Sequence, residues 1–241
     1  ANQVSVSNKP HNAADGIKGL AFNTFMTKIS VEGNIDFGNG HTIEHEFIID
    51  TGSRHYFKLS SEYPKTNQIK LPDAQVTAAD FGLSGKAEHQ RVTLPKISLG
   101  DVQIKNIKSN IINSDDEDDY WVIGNATLNQ FITTIDYKTS NIYLESYEDQ
   151  SFQSRYNLFG LEVRKLLSGN FIVRYVMPGL PAIDAGFQAG DIITQVNKVN
   201  AHSISKDQWL SMSAIPGKYE ICRESLGCKN IQSQHIKGYS N

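Results

Sequence analysis

Phe47-Ile48-Ile49-Asp50-Thr51-Gly52-Ser53 runs an apolar strand straight into a polar turn. Apolar neighbours exclude water and raise the cost of ionising a carboxylate. Gly52 lets the chain reverse tightly. The hydroxyls of Thr51 and Ser53 can bond the carboxylate or the turn beside it. The segment thus holds one carboxylate, that of Asp50, at a fixed angle at the end of a rigid strand.

Working outward, the pattern from Leu20 to Tyr147 is strand after strand. Strands are expected over Phe25–Val31, Thr42–Ile49, Gln75–Ala79, Glu88–Leu94, Val102–Ile112, Thr133–Tyr137 and Asn141–Glu145. Asp36-Phe37-Gly38-Asn39-Gly40 and Lys138-Thr139-Ser140-Asn141 supply turn signals, and one short helix fits Ala126–Phe131. These predict a mainly β, barrel-like or sandwich-like domain over residues 19–147. Residues 1–18 are polar and read as a flexible lead-in, and 148–154 as a linker. Residues 155–241 change character. Strands at Asn170–Val176 and Asp191–Val196, helices at Pro181–Gly186 and Ser205–Met212, and a closing hairpin predict an α+β domain. No internal repeat is visible, so the chain is not two similar halves.

At 241 residues, with 39% hydrophobic and 20% charged residues, the chain can bury a substantial core. A net charge of -3 gives no reason to invoke nucleic acid. No apolar run is long enough to span a bilayer. The chain begins Ala1-Asn2-Gln3 without Met, which reads either as a mature form after removal of a signal peptide or as an engineered start. Cys222 and Cys228, the two cysteines, flank a predicted turn and would be bridged if their geometry allows, or stand as two thiols. A bridge favours an oxidising, extracytoplasmic setting, periplasmic or secreted.

Residues 25–145 resemble the retropepsin-like, single-lobed aspartic proteases. Asp50-Thr51-Gly52-Ser53 matches the catalytic turn. Asp80-Phe81-Gly82-Leu83-Ser84-Gly85 is similar to a flap tip, with Phe81 to Gly85 as its substrate-covering residues. Val122-Ile123-Gly124-Asn125 then Ala126-Thr127-Leu128 resembles the apolar-apolar-Gly motif and helix behind the turn. Thr134-Ile135-Asp136-Tyr137 and Ile142-Tyr143-Leu144 resemble the closing hairpin of bacterial members. The resemblance implies a closed β barrel and cleavage of peptide bonds by two carboxylates that share a proton. One Asp-Thr-Gly in the chain implies a homodimer, Asp50 facing its copy. Members usually continue with small apolar residues where Arg54-His55-Tyr56-Phe57 stand here; a cation there would lower the pair's pKa or block the groove. The other reading is an inert scaffold that binds peptides without cutting them.

Residues from about Tyr156 to Gln234 resemble a PDZ domain. Leu158-Phe159-Gly160-Leu161 is similar to the loop whose amides receive a peptide's terminal carboxylate. Pro181-Ala182-Ile183-Asp184-Ala185-Gly186-Phe187 and Gly190-Asp191-Ile192-Ile193 match the pattern of bacterial PDZ domains of secreted proteases. The partners implied are a peptide substrate, a second copy of the chain and a peptide C-terminus.

Rival signals are weaker. His41-Thr42-Ile43-Glu44-His45 fits H-x-x-E-H, but zinc needs both histidines on one helix face, and this segment alternates like a strand. His55 has no visible partner. Asp115-Asp116-Glu117-Asp118-Asp119 lacks the spaced ligands of a calcium loop and reads as a solvated loop. Ser203-Ile204-Ser205-Lys206 reads as a helix start capped by Ser203 or Ser205, and the sequon Asn125-Ala126-Thr127 as packed. Tyr120 and Trp121 read as core or dimer-contact aromatics. No cofactor or metal is called for. Asp136 is the first alternative carboxylate should the active species be a monomer.

Overall fold

The computed structural model describes residues 3–73, 76–82, 85–148 and 150–236, all with side chains except Phe25. The chain divides into two compact units: Ala1–Asp73 with Val92–Ser154, and Ala74–Arg91 with Arg155–Asn241. Elements follow in chain order. They are β1 Leu20–Phe25, β2 Lys28–Asp36, β3 Thr42–Asp50, β4 Phe57–Ser60, α1 Glu62–Thr66, β5 Val76–Gly82, β6 Gly85–Leu99, β7 Val102–Ile112, β8 Val122–Gly124, α2 Asn125–Leu128, β9 Phe131–Asp136 and β10 Asn141–Ser146. Then come β11 Leu161–Lys165, β12 Phe171–Val176, α3 Pro181–Asp184, β13 Ile192–Val196, β14 Val199–Asn200, α4 Lys206–Ser213, β15 Gly217–Arg223 and β16 Gly227–Ser233.

In the first unit the strands run β6-β7-β4-β8-β3-β2, and a further pairing of β2 with β6 closes them into a six-stranded barrel. Closure removes free edges from the ring. Alternate residues of β2 and β3 point inward, so Val31, Ile35, Phe47 and Ile49 enter a core with Leu59, Leu94, Ile107 and Trp121. The hairpin β9–β10 pairs with β1 outside this ring.

Two expectations are corrected. The single strand Phe25–Val31 is two strands joined by a two-residue turn, Phe25 opposite Lys28, with Met26 at φ 54°. No Gly or Asn marks that turn. The helix ends at Leu128, and Phe131 opens β9. Within residues 1–18, the His11 N–H donates to Asp136 Oδ2 (3.0 Å) and its ring lies against Tyr143. The expected strand Gln75–Ala79 starts at Val76 among the described residues.

In the second unit β11-β12-β13-β15-β16 form one sheet, with β14 on β13. Phe159, Phe171 and Trp209 interlock at ring distances of 5.1 and 5.7 Å over its core. Ser205 caps α4 in a reciprocal box with Gln208. Cys222 and Cys228 lie directly opposite across β15–β16 and are bonded, S–S 2.01 Å. The architecture is mainly β: a closed six-stranded barrel in the first unit and an α+β sheet unit in the second.

Candidate active site

Strand β3 carries the carboxylate. Phe47 and Ile49 anchor it in the core, and Asp50 emerges exposed at its end. The turn that follows is held by the main chain rather than by the hydroxyls. The N–H groups of Gly52 and Ser53 both donate to Asp50 Oδ1, at 2.9 and 3.1 Å. Ser53 N–H also reaches Asp50 O at 3.2 Å. Two donors on one oxygen fix the carboxylate plane and leave Oδ2 without a hydrogen bond among the described residues. Thr51 is exposed. Ser53 Oγ is buried beside the turn and has no hydrogen-bond partner among the described residues.

The turn is backed by β8 and α2. β8 runs parallel to β3, Asp50 opposite Gly124, and antiparallel to β4. Gly124 N–H donates to Tyr56 O (3.1 Å), Asn125 N–H to Ser53 O (2.7 Å) and Ala126 N–H to His55 O (3.2 Å). Thr127, fully buried, adds its hydroxyl to Tyr56 O at 3.0 Å. A Cβ on Gly124 would stand 2.2 Å from His55 O, closer than atoms approach, so only glycine fits there. The sequon overlapping this motif is thus packed at Thr127.

The residues after the turn take places the sequence did not reveal. Arg54 is exposed and makes no ion pair among the described residues. His55, read from sequence as partnerless, accepts a hydrogen bond at Nδ1 from Asn110 Nδ2 (2.8 Å), and Asn110 is buried. Tyr56 and Phe57 are core. His45 stacks on Trp121, centroids 3.7 Å apart, and its Nδ1 donates to Glu46 O (2.9 Å), so it serves as a packing group. Trp121 is itself buried, its Nε1 donating to Glu117 O in the acidic loop (2.8 Å). Asp136 is saturated by the N–H groups of His11, Lys138 and Thr139. Those bonds, led by His11, hold its carboxyl below the usual carboxylate range.

Of the flap residues, Phe81, Gly82 and Gly85 are described, Gly82 opposite Gly85 across β5–β6; Leu83 and Ser84 lie outside the described residues. These arms group with the second unit, where chain order alone had put them with the first. Among the described residues the one cluster with metal-ligand spacing is Glu220, Cys222 and Cys228, and its cysteines are engaged in the disulfide.

In the second unit Leu158, Phe159 and Leu161 are buried, and Gly160 sits at φ 82°, where a Cβ would meet Leu180 at 2.6 Å. The loop amides read from sequence as open to a carboxylate are already engaged. Phe159 and Gly160 N–H both donate to Asn157 Oδ1 at 3.2 Å, and Leu158 N–H to Ser213 O at 2.8 Å. Strand β11 lies at the end of its sheet. Among the described residues no helix is long and apolar enough to cross a membrane.

Comparison with known proteins follows the two units. Residues 31–127 match the aspartyl protease family model, and residues 172–213 match a PDZ domain model. No curated protein matches the chain. Among solved structures, a retropepsin-like aspartic protease from Rickettsia conorii aligns at 22% identity and TM-score 0.39, over 54% of this chain and all of its own. An HtrA-type protease, AlgW, with a decapeptide, aligns at 11% identity and TM-score 0.32, over 89% of this chain and 77% of its own.

Proposed function

We propose that the protein is an aspartic endopeptidase, active as a homodimer, outside the cytoplasm. The observation that carries the reading is the Asp50 carboxylate: one oxygen gripped by two turn amides, the other open, at an exposed strand end. Two copies brought together would set two such oxygens face to face. Like charges that close cannot both ionise, so the pair keeps one proton near neutral pH or below. One carboxylate then takes a proton from water as the water attacks the peptide carbonyl, while the other, protonated, donates a hydrogen bond to the carbonyl oxygen. The hairpin β5–β6 would cover an extended substrate and exclude water. The PDZ domain would receive a peptide C-terminus along the free edge of β11. The Cys222–Cys228 bond supports a periplasmic or secreted location.

The test is Asp50→Asn. Hydrolysis of a peptide library should fall below detection while the far-ultraviolet circular dichroism stays unchanged. Cleavage at undiminished rate would rule the mechanism out. Inhibition by pepstatin together with indifference to chelators separates it from metal-dependent cleavage.

A further inference from the structure

The strands β5 and β6 that would act as a flap are clasped by the PDZ-bearing unit to which they belong. Val76 and Ala78 of β5 share a buried apolar cluster with Tyr156, Leu158, Met177 and Leu180. Further along, the Arg174 guanidinium lies 3.5 Å from the Phe81 ring centroid, and Lys86 Nζ lies 5.4 Å from that of Tyr175. Arg91 pairs with Glu162 of β11 at 3.6 Å.

The segment 156–160 contributes to two things at once. Tyr156 and Leu158 belong to the cluster that holds β5. Asn157, between them, spends its side chain on the loop: Oδ1 accepts from Phe159 and Gly160 N–H, and Nδ2 donates to Leu161 O at 2.6 Å. Two amides converging on one oxygen is the arrangement a peptide carboxylate would take up. The bonds to Asn157 are 3.2 Å, at the long end for N–H···O. A carboxylate would make shorter and stronger ones.

We propose that Asn157 is a resident stand-in for a peptide C-terminus, and that its displacement by a terminal carboxylate shifts Tyr156 and Leu158 and loosens the β5–β6 hairpin. This rests on the reading of the hairpin as a flap and of the second domain as a receiver of peptide C-termini. PDZ occupancy then sets how readily the hairpin opens to admit substrate. No bond is made or broken covalently; one acceptor replaces another. Linkage makes the effect reciprocal: if a bound C-terminus loosens the hairpin, a change that loosens the hairpin tightens C-terminal peptide binding.

The experiment uses the full chain carrying Asp50→Asn, so that the probe is not cut. The probe is a synthetic decapeptide ending in Val, as free acid and as terminal amide. Binding is read by calorimetry and hairpin opening by hydrogen exchange at residues 76–82 and 85–91. The acid form should speed exchange there by about tenfold, within the usual range of coupling between sites, with no change in core strand β3. The amide form should not. Asn157→Ala, which vacates the seat, should bind the acid form several-fold more tightly. Arg174→Ala, which weakens the clasp, should also tighten it. Binding of the acid form without faster hairpin exchange, or unchanged affinity in Arg174→Ala, overturns the coupling and leaves peptide capture standing. Failure of the acid form to bind with Asn157 either present or replaced overturns capture and the coupling together.

Discussion

Gly124 concentrates the constraint at the residue scale. Its missing side chain lets the His55 carbonyl approach the backbone that supports the Asp50 turn. A Cβ there would meet main chain, which has little freedom to give. Gly124→Ala should destabilise the barrel unit by about 3 kcal/mol, the upper range for overpacking, measured by urea unfolding; a loss under about 0.5 kcal/mol would mean the turn relaxes freely. Asp136 makes a different prediction. Its carboxyl is held low by the His11, Lys138 and Thr139 donors. A group depressed on folding contributes stability that is full above its unfolded pKa, about 3.9, and is lost as pH falls through the lower folded value. Asp136→Asn should therefore lower the melting temperature at pH 7 and flatten its decline below about pH 4. A variant whose melting curve parallels wild type throughout would show that these bonds contribute nothing.

At the scale of elements, the β15–β16 hairpin is closed by the Cys222–Cys228 bond across its end. The loop it closes is short, so the chain-entropy account assigns it about 2 kcal/mol. Cys222→Ala with Cys228→Ala should lower the stability of the second unit by that amount and leave the barrel's unfolding untouched. Equal losses in both would contradict the assignment. The same hairpin shows what the sequence can announce. Two cysteines flanking Arg223–Gly227 place themselves opposite each other because strand pairing through a short turn is a local matter. The gripping of Asp50 is similarly local, although backbone amides perform it where the hydroxyls of Thr51 and Ser53 had been expected. Partners far apart in sequence left no signal. His55 meets Asn110 across 55 positions, and His11 meets Asp136 across 125. The Met26 turn lacks any residue that favours a positive φ, so pattern alone merged β1 into β2. The clasp on β5–β6 depends on which apolar faces find each other, which neither periodicity nor chain order encodes.

At the scale of the molecule, the proposed mechanism, with one Asp50 in each chain, would make activity a property of pairs. Where the dimer is weak, cleavage rate should rise with the square of protein concentration, and sedimentation should show monomer and dimer in exchange. A monomer fully active at all concentrations would sink the two-chain mechanism. The chain also carries built-in reporters of its two cores. Its two tryptophans are divided between them, Trp121 in the barrel and Trp209 over the PDZ sheet, both buried. Trp121→Phe leaves emission that follows the PDZ unit alone, and Trp209→Phe leaves emission that follows the barrel. Trp121 is in addition stacked on His45, whose Nε2 lies 3.7 Å from Asp118. That stack and the Nε1 bond to Glu117 O tie the indole to the acidic loop, so emission from Trp121 in the Trp209→Phe variant becomes an optical gauge of the loop's seating that needs no added label.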